Sequence, residues 1–279
     1  MVTVREETAA EVETGMIEPV LRWPGAKWRI AQWIVDQFPR HQTYCEPFLG
    51  SGAIFFTKEP SGTETINDVD GEVVNLFMVM REFPDELAKQ VEMTPYSREE
   101  YLMSYEKGEY IDPVESARRF LVRVWQAFGG KTYSNTSWAH DRTNKVFRPK
   151  YWALLPDRIM QTVERLKMAQ IECMDARELI PMYNSESTLL YVDPPYLRRT
   201  RTNRHYSHEF CTISEHQELL MLCKQHKGPC IISGYDDELY DTELQGWEKR
   251  SVDVQTNAGH TAKEILWLND RATFEQRLF

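Results

Sequence analysis

Apolar residues along the chain fall into short runs that alternate with longer stretches of helical spacing. Tyr44–Phe48 reads as a strand that ends in Gly50-Ser51-Gly52 and is followed by a helix-like Ala53–Thr57. Glu64–Asp68 reads as a second short strand. Glu72–Val91 then carries Val73, Val74, Phe77 and Met80 at helical spacing, and Leu154–Met168 is a further amphipathic helix. Ile171–Met174, Leu189–Val192, Cys230–Ser233 and Glu264–Leu268 are apolar or β-branched runs of strand length. Ser214, with Gln217 three residues on, has the pattern of a capping box and opens a helix over 214–226.

This alternation predicts an α/β protein, with a mostly parallel sheet, helices on both faces and a ligand site at the carboxyl ends of the strands. The pattern breaks between residues 92 and 150. That region is polar, basic and aromatic, with helical spacing over Ser97–Glu106 and Pro113–Phe128, then a loop-like Gly129-Gly130-Lys131-Thr132-Tyr133-Ser134-Asn135. It reads as an inserted, mainly helical second domain. The expected organisation is therefore an acidic arm over 1–18, a main domain formed by 19–91 and 151–279, and an insertion over 92–150.

Charge changes this picture locally. The 279 residues carry 33 Lys and Arg against 43 Asp and Glu, a net charge of −10, which opposes whole-surface binding of a polyanion. Between Val114 and Trp152, however, eight basic residues face only Glu115 and Asp141, so a local patch is available to nucleic acid. The acidic start has no apolar segment and does not read as a secretory signal. No apolar stretch approaches the ~18 residues of a membrane span. Five cysteines with no Cys-x-x-Cys pair argue against a disulfide framework or structural zinc and favour a reducing, cytoplasmic setting. His140, His205, His208, His216, His226 and His260 show no metal-ligand spacing, and no metal is expected.

Two segments carry chemistry. In Leu189-Leu190-Tyr191-Val192-Asp193-Pro194-Pro195-Tyr196 an apolar strand delivers an acid to its end, and two prolines then stiffen the backbone. Asp193 and the Pro194 carbonyl form a pair of acceptors suited to an exocyclic amino group, and Tyr196 offers a ring for a base to stack on. The plain alternative is a rigid turn with Asp as turn former. In Tyr44-Cys45-Glu46-Pro47-Phe48-Leu49-Gly50-Ser51-Gly52, two glycines stand between strand and helix, where backbone can approach a ligand closely. No phosphate-cradling Gly-x-x-x-x-Gly-Lys-Ser/Thr occurs, which favours a nucleoside without phosphates. Asp68 at the next strand end is placed for ribose hydroxyls. An ordinary tight turn is the alternative here.

With these motifs in this order, the chain from about residue 20 resembles the Dam-type (D12 class, alpha group) N6-adenine-specific DNA methyltransferases. Family members open with a Lys-Trp-x-Gly-Gly-Lys-like segment, here Arg22-Trp23-Pro24-Gly25-Ala26-Lys27. Glu46–Gly52, the pair Asn67-Asp68, an insertion and Asp193–Tyr196 follow, and Tyr206, Phe210, His216 and Ser233 fit downstream positions. The first segment departs at Pro24 and Ala26, and the insertion does not clearly reproduce the hairpin that reads GATC in the best-known members.

The resemblance implies a Rossmann-like S-adenosylmethionine-dependent domain with an inserted target-recognition domain, S-adenosylhomocysteine as product and no metal requirement. It implies cofactor contacts from Trp23, Gly25, Lys27, Glu46, Pro47, Phe48, Gly50, Gly52, Asp68 and Asp175, and a catalytic turn of Asp193, Pro194, Pro195 and Tyr196. The partner implied is double-stranded DNA. Arg198, Arg199, Arg201 and Arg204 after the catalytic turn, with Arg123, Lys131, Tyr133 and Asn135 in the insertion, are the expected DNA contacts. A monomer or weak homodimer in a bacterial or phage-infected cytoplasm, with a restriction endonuclease as candidate partner, completes the expectation. The rivals are the same core acting on RNA adenine or cytosine N4, and a non-catalytic DNA-binding homologue.

Overall fold

The computed structural model describes residues 17–106, 112–128, 137–141, 147–197, 210, 212–255 and 261–273. Among the described residues seven strands form one sheet: β1 (Thr43–Glu46), β2 (Thr63–Asn67), β3 (Gln170–Glu172), β4 (Thr188–Val192), β5 (Cys230–Tyr235), β6 (Glu248–Gln255) and β7 (Thr261–Leu268). Their spatial order is β3-β2-β1-β4-β5-β7-β6. The first five are parallel, and β7 lies antiparallel between β5 and β6. From β1 the chain moves outward to β2 and β3, then returns to start β4 on the other side of β1. The switch point of the sheet is therefore the β1–β4 seam.

Strand residues divide between two cores with a period of two, as the pleat requires. Tyr44, Leu189, Tyr191, Ile231, Leu266 and Leu268 belong to one hydrophobic cluster. Cys45, Leu190, Val192, Cys230, Ile232, Ile265 and Trp267 belong to the other. Because both faces are covered, β4 is buried along its whole length and reads as an unbroken apolar run rather than an alternating one.

The first face receives α1 (Ala31–Val35), α2 (Ala53–Thr57), α3 (Gly71–Glu82), α4 (Pro84–Met93), α6 (Pro113–Gln126) and α8 (Leu155–Lys167), through Ile34, Ile54, Leu76, Leu87, Phe120 and Ile159 among others. The second receives α9 (Ala176–Met182), α10 (Ile213–Gln225) and α11 (Glu238–Glu243), through Leu179, Leu219 and Tyr240. Short helices α5 (Arg98–Met103), α7 (Arg148–Ala153) and α12 (Asp270–Thr273) complete the described elements. Helix α6, from the stretch expected as an insertion, packs on α3 and α4. It buries Val114, Ala117, Phe120, Leu121, Val124 and Trp125 in the same cluster as the sheet.

Three local expectations change. The helix expected over Glu72–Val91 is two, because Phe83 leaves the helical conformation ahead of Pro84, which starts the second helix without needing a donor. The helix at 213–225 is capped by Thr212, whose side chain accepts from the Glu215 backbone while Glu215 reaches back, so the box lies two residues before Ser214. Strand β6 carries no apolar run. It is an edge strand with Glu248, Lys249, Arg250 and Asp253 along it, and its pairing with β7 defines it.

Away from the cleft, Glu64 of β2 is buried between Lys58 and Arg165, ion-paired to both. Burial works to raise the Glu64 pKa, but donation from Arg165 and Lys58 outweighs it and holds the carboxyl below its ordinary 4.5. Glu64→Gln strands two buried cations, so it should cost ~3–5 kcal/mol in urea unfolding at neutral pH. A folded-state pKa below the unfolded one contributes stability above pH 4.5 that is lost as pH falls. The gap between wild type and variant should therefore close on acidification through that range; a gap independent of pH would contradict the ionised cluster.

Candidate active site at the carboxyl ends of the strands

A cleft of about 430 Å³ opens over the ends of β1, β2 and β4, where the chain switches direction across the sheet. Its floor is Glu46–Ser51, one wall is Asp68–Asp70, a second is Asp175–Arg177, and a third is Asp193–Tyr196 with Trp23–Lys27 above it. Phe210 and Glu215 contribute from the side of α10.

The loop after β1 is held by hydrogen bonds from the neighbouring strand ends. Gly50 and Gly52 have φ of +51° and +71°, a left-handed backbone that costs glycine little. Gly50 N–H donates to Asp68 Oδ2 at 2.9 Å, and Asp70 N–H donates to Asp68 Oδ1 at 2.9 Å. Asn67 fixes the loops around it: its amide donates to the Pro47 and Met174 carbonyls and accepts from Met174 N–H. Asp175 caps α9, accepting from Arg177 N–H. Hydrogen bonds from the Arg177 guanidinium, itself paired with Glu218, hold the Asp175 carboxyl below its ordinary pKa.

At the end of β4 the polar groups converge on one ammonium. Lys27 Nζ lies 3.1 Å from Asp193 Oδ1 and 3.3 Å from Glu264 Oε1, donates to Gly25 O at 3.2 Å, and donates to the Tyr196 hydroxyl. That hydroxyl in turn donates to Glu264 at 3.0 Å. Burial opposes the Lys27 charge, but Asp193 and Glu264 outweigh it and the pKa rises above its ordinary value. The Tyr196 ring packs against Tyr235 at 4.4 Å between centroids. Glu46 is also buried. Burial pushes its carboxyl up to about 8, Asp193 adds to the rise, and the Tyr44 hydroxyl, donating at 2.8 Å, opposes it.

The profile of the D12 class N6 adenine-specific DNA methyltransferases matches residues 23–255. The chain belongs to this family. Among similar proteins, the type II methyltransferase M1.LlaDCHI of Lactococcus lactis subsp. cremoris is 26% identical over 75% of this chain and 77% of its own length. The DNA adenine methylase of Haemophilus influenzae is 21% identical over 85% and 86% respectively. The DNA N-6-adenine-methyltransferase of Escherichia phage P1 is 23% identical over 94% of this chain, which spans only 38% of the phage protein.

In this methyltransferase the cleft gathers all but one of the catalytic and cofactor residues expected from sequence and, among the described residues, none of the expected DNA contacts. Trp23, Gly25, Lys27, Glu46, Pro47, Phe48, Gly50, Asp68, Asp175, Asp193, Pro194, Pro195 and Tyr196 all line it. Gly52 stands just behind, at the left-handed start of α2. Arg123 is elsewhere: it is ion-paired to Glu72, donates to the Ser104 carbonyl and does not line the cleft. Lys131, Tyr133, Asn135, Arg198, Arg199, Arg201 and Arg204 lie outside the described residues, as does Tyr206. His216 is fully buried and bonds the Tyr240 hydroxyl and the Phe210 carbonyl, so it anchors a cleft residue.

On sequence grounds Asn67 stands only in the pair Asn67-Asp68 and Glu264 only at the start of a strand, and neither carries a role. A polar Asn closing a buried strand, and an acid leading the apolar Ile265–Leu268, were the signals available. Among the described residues no group of His, Cys, Asp or Glu is gathered to hold a metal ion, and no helix is long and apolar enough to cross a membrane.

Proposed function

We propose that this methyltransferase transfers a methyl group from S-adenosylmethionine to N6 of an adenine flipped out of duplex DNA. The observation that carries this reading is the placement of Asp193-Pro194-Pro195-Tyr196 in the same cleft as the Gly50–Asp68 loop, across the switch point of the sheet. Open α/β sheets bind ligands at such points, and the cleft volume falls in the ~300–1,000 Å³ range of small-molecule sites.

The residues present fit the cofactor. The cleft has an excess of acids, with Asp68, Asp70, Asp175, Asp193 and Glu215 against Lys27 and Arg177, and both cations are already ion-paired. Such a site favours a ligand with sulfonium and ammonium groups over a phosphate. A Cβ on Gly50 would stand 2.8 Å from Trp23, so the glycine keeps open the space where Trp23 and the loop meet. S-adenosylmethionine supplies an electrophilic methyl group on sulfur. In this reading Asp68 orients ribose, Asp175 lies beside the cofactor adenine, and Trp23, Gly25 and Phe48 pack around it.

The chain's own contribution to the reaction is positional and electrostatic. Adenine N6 is a poor nucleophile because its lone pair is delocalised into the ring. Acceptance of its two hydrogens by the Asp193 carboxylate and the Pro194 carbonyl localises that pair on nitrogen, and Tyr196 provides the stacking face. The ring of Pro195 restricts the backbone that carries the Pro194 carbonyl, so that acceptor is held in a fixed direction. Displacement would be direct, the N6–methyl bond forming as the methyl–sulfur bond breaks and the surplus N6 proton then leaving to solvent, with orientation supplying much of the acceleration. Extrusion of the base costs a few kcal/mol. Basic residues at 198–204 and in the insertion are the proposed phosphate and base contacts. A phosphate contact from Arg123 requires that Glu72 release it.

The deciding experiment incubates the protein with S-adenosylmethionine and unmethylated duplex DNA, digests to nucleosides and identifies the product by mass spectrometry. N6-methyladenine is expected; methylcytosine would overturn the base assignment, and an unmodified duplex would overturn the substrate. Asp193→Asn should reduce transfer at least a hundredfold while S-adenosylmethionine still raises the melting temperature, since a ligand of the native state stabilises it. Gly50→Ala combines a left-handed backbone with a clash against Trp23. It should cost roughly 1–3 kcal/mol of stability and weaken S-adenosylmethionine binding by calorimetry; unchanged binding would remove the loop from the cofactor site.

A further inference from the structure

Glu264 is a buried acid that the reaction as described does not use. It is 5% exposed, sits on β7 opposite Tyr235 of β5 and Val252 of β6, and does not line the cleft. The polar groups facing it are Lys27 from the amino-terminal segment, Asp193 and Tyr196 from the turn after β4, and Tyr235 from β5. Its neighbour on β6, Val252, is uncharged. One ammonium, that of Lys27, therefore stands between two carboxylates, 3.1 Å from Asp193 and 3.3 Å from Glu264, with the Tyr196 hydroxyl bridging to the second.

We propose that Glu264 is a positioning residue for methyl transfer: by sharing the Lys27 ammonium and holding the Tyr196 hydroxyl, its carboxylate leaves Asp193 available to accept the adenine amino hydrogens. The assignment rests on the reading that Asp193 is that acceptor. A buried cation with a single carboxylate partner satisfies its charge on that partner alone, which weakens the partner as an acceptor for anything else. With two partners the charge is divided. Protonation of Glu264 removes the second partner and turns Lys27 fully toward Asp193. Burial and the neighbouring Asp193 raise the Glu264 carboxyl to about 7, with Lys27 and the Tyr196 hydroxyl opposing the rise, so this division of charge changes near neutrality. A cationic methyl donor in the cleft lowers the value further. The ionised form of Glu264 is the active one, so transfer should rise with pH along a limb at or below neutrality.

The test is single-turnover methylation of duplex DNA from about pH 5.5 to about pH 9, with saturating S-adenosylmethionine, on wild type, Glu264→Gln, Tyr196→Phe and Asp193→Asn. Glu264→Gln should lose the rising limb and stay at the low-pH rate of wild type, roughly tenfold below wild type on the alkaline plateau. Tyr196→Phe keeps the ring but removes a donor that favours the ionised carboxylate, so its limb should move to higher pH. That second variant keeps the test open if Glu264→Gln fails to fold, which melting curves report. A Glu264→Gln enzyme with the wild-type profile, or one slowed by a constant factor with its limb intact, would overturn the proposal, as would an unmoved limb in Tyr196→Phe. Asp193→Asn separates the two levels. If it still transfers methyl groups at a rate near wild type, the reading of Asp193 has failed; if it is slowed a hundredfold or more throughout and the limb ignores Glu264 and Tyr196, only the present inference has.

Discussion

A lysine ammonium cannot lie inside a protein without compensating partners, and the cleft is organised around one that does. Lys27 is almost fully buried, and its partners come from three distant parts of the chain: its own segment through the Gly25 carbonyl, the turn after β4 through Asp193 and Tyr196, and β7 through Glu264. Loss of either carboxylate would leave a buried charge undercompensated, a costly change in a low-dielectric setting. The same cluster therefore closes the amino-terminal segment over the sheet and sets the electrostatics where the adenine amino group is proposed to bind.

The rest of the cleft is held by backbone groups rather than by charge. Asn67 and Asp68, adjacent at the end of β2, satisfy N–H and C=O groups of the loops after β1 and β3. Two consecutive side chains, the last of β2 and the first beyond it, thus couple three strand ends. This arrangement depends on the parallel register, which brings β1, β2 and β3 side by side with their carboxyl ends together. A second buried ion cluster, Lys58–Glu64–Arg165, lies outside the cleft and ties α8 to β2. Charge is thus buried both within the proposed reaction site and away from it, and the cluster that does not line the cleft has a structural role.

The central strands β4 and β5 were legible because strands covered on both faces are apolar along nearly their whole length. The runs at 189–192 and 230–233 fit this and stand out from the helical segments around them. Strand β6 did not, because it is an edge with polar side chains and owes its conformation to pairing with β7. The break at Phe83–Pro84 was available in the proline itself, whose missing N–H starts a new helix more readily than it continues an old one.

The sequence by itself determined the chemistry of the site: two glycines where backbone must turn left-handed, an acid at the end of β2, and Asp-Pro-Pro-Tyr at the end of a buried strand. These are local requirements, met by neighbours in the chain, so their spacing survives in one dimension. Tertiary structure alone decided that Lys27 and Glu264, 237 positions apart, meet at the same hydroxyl. It alone decided that Arg123 is ion-paired to Glu72. Partnership between distant charges depends on which strand lies beside which and which way each side chain faces, and no local pattern encodes it.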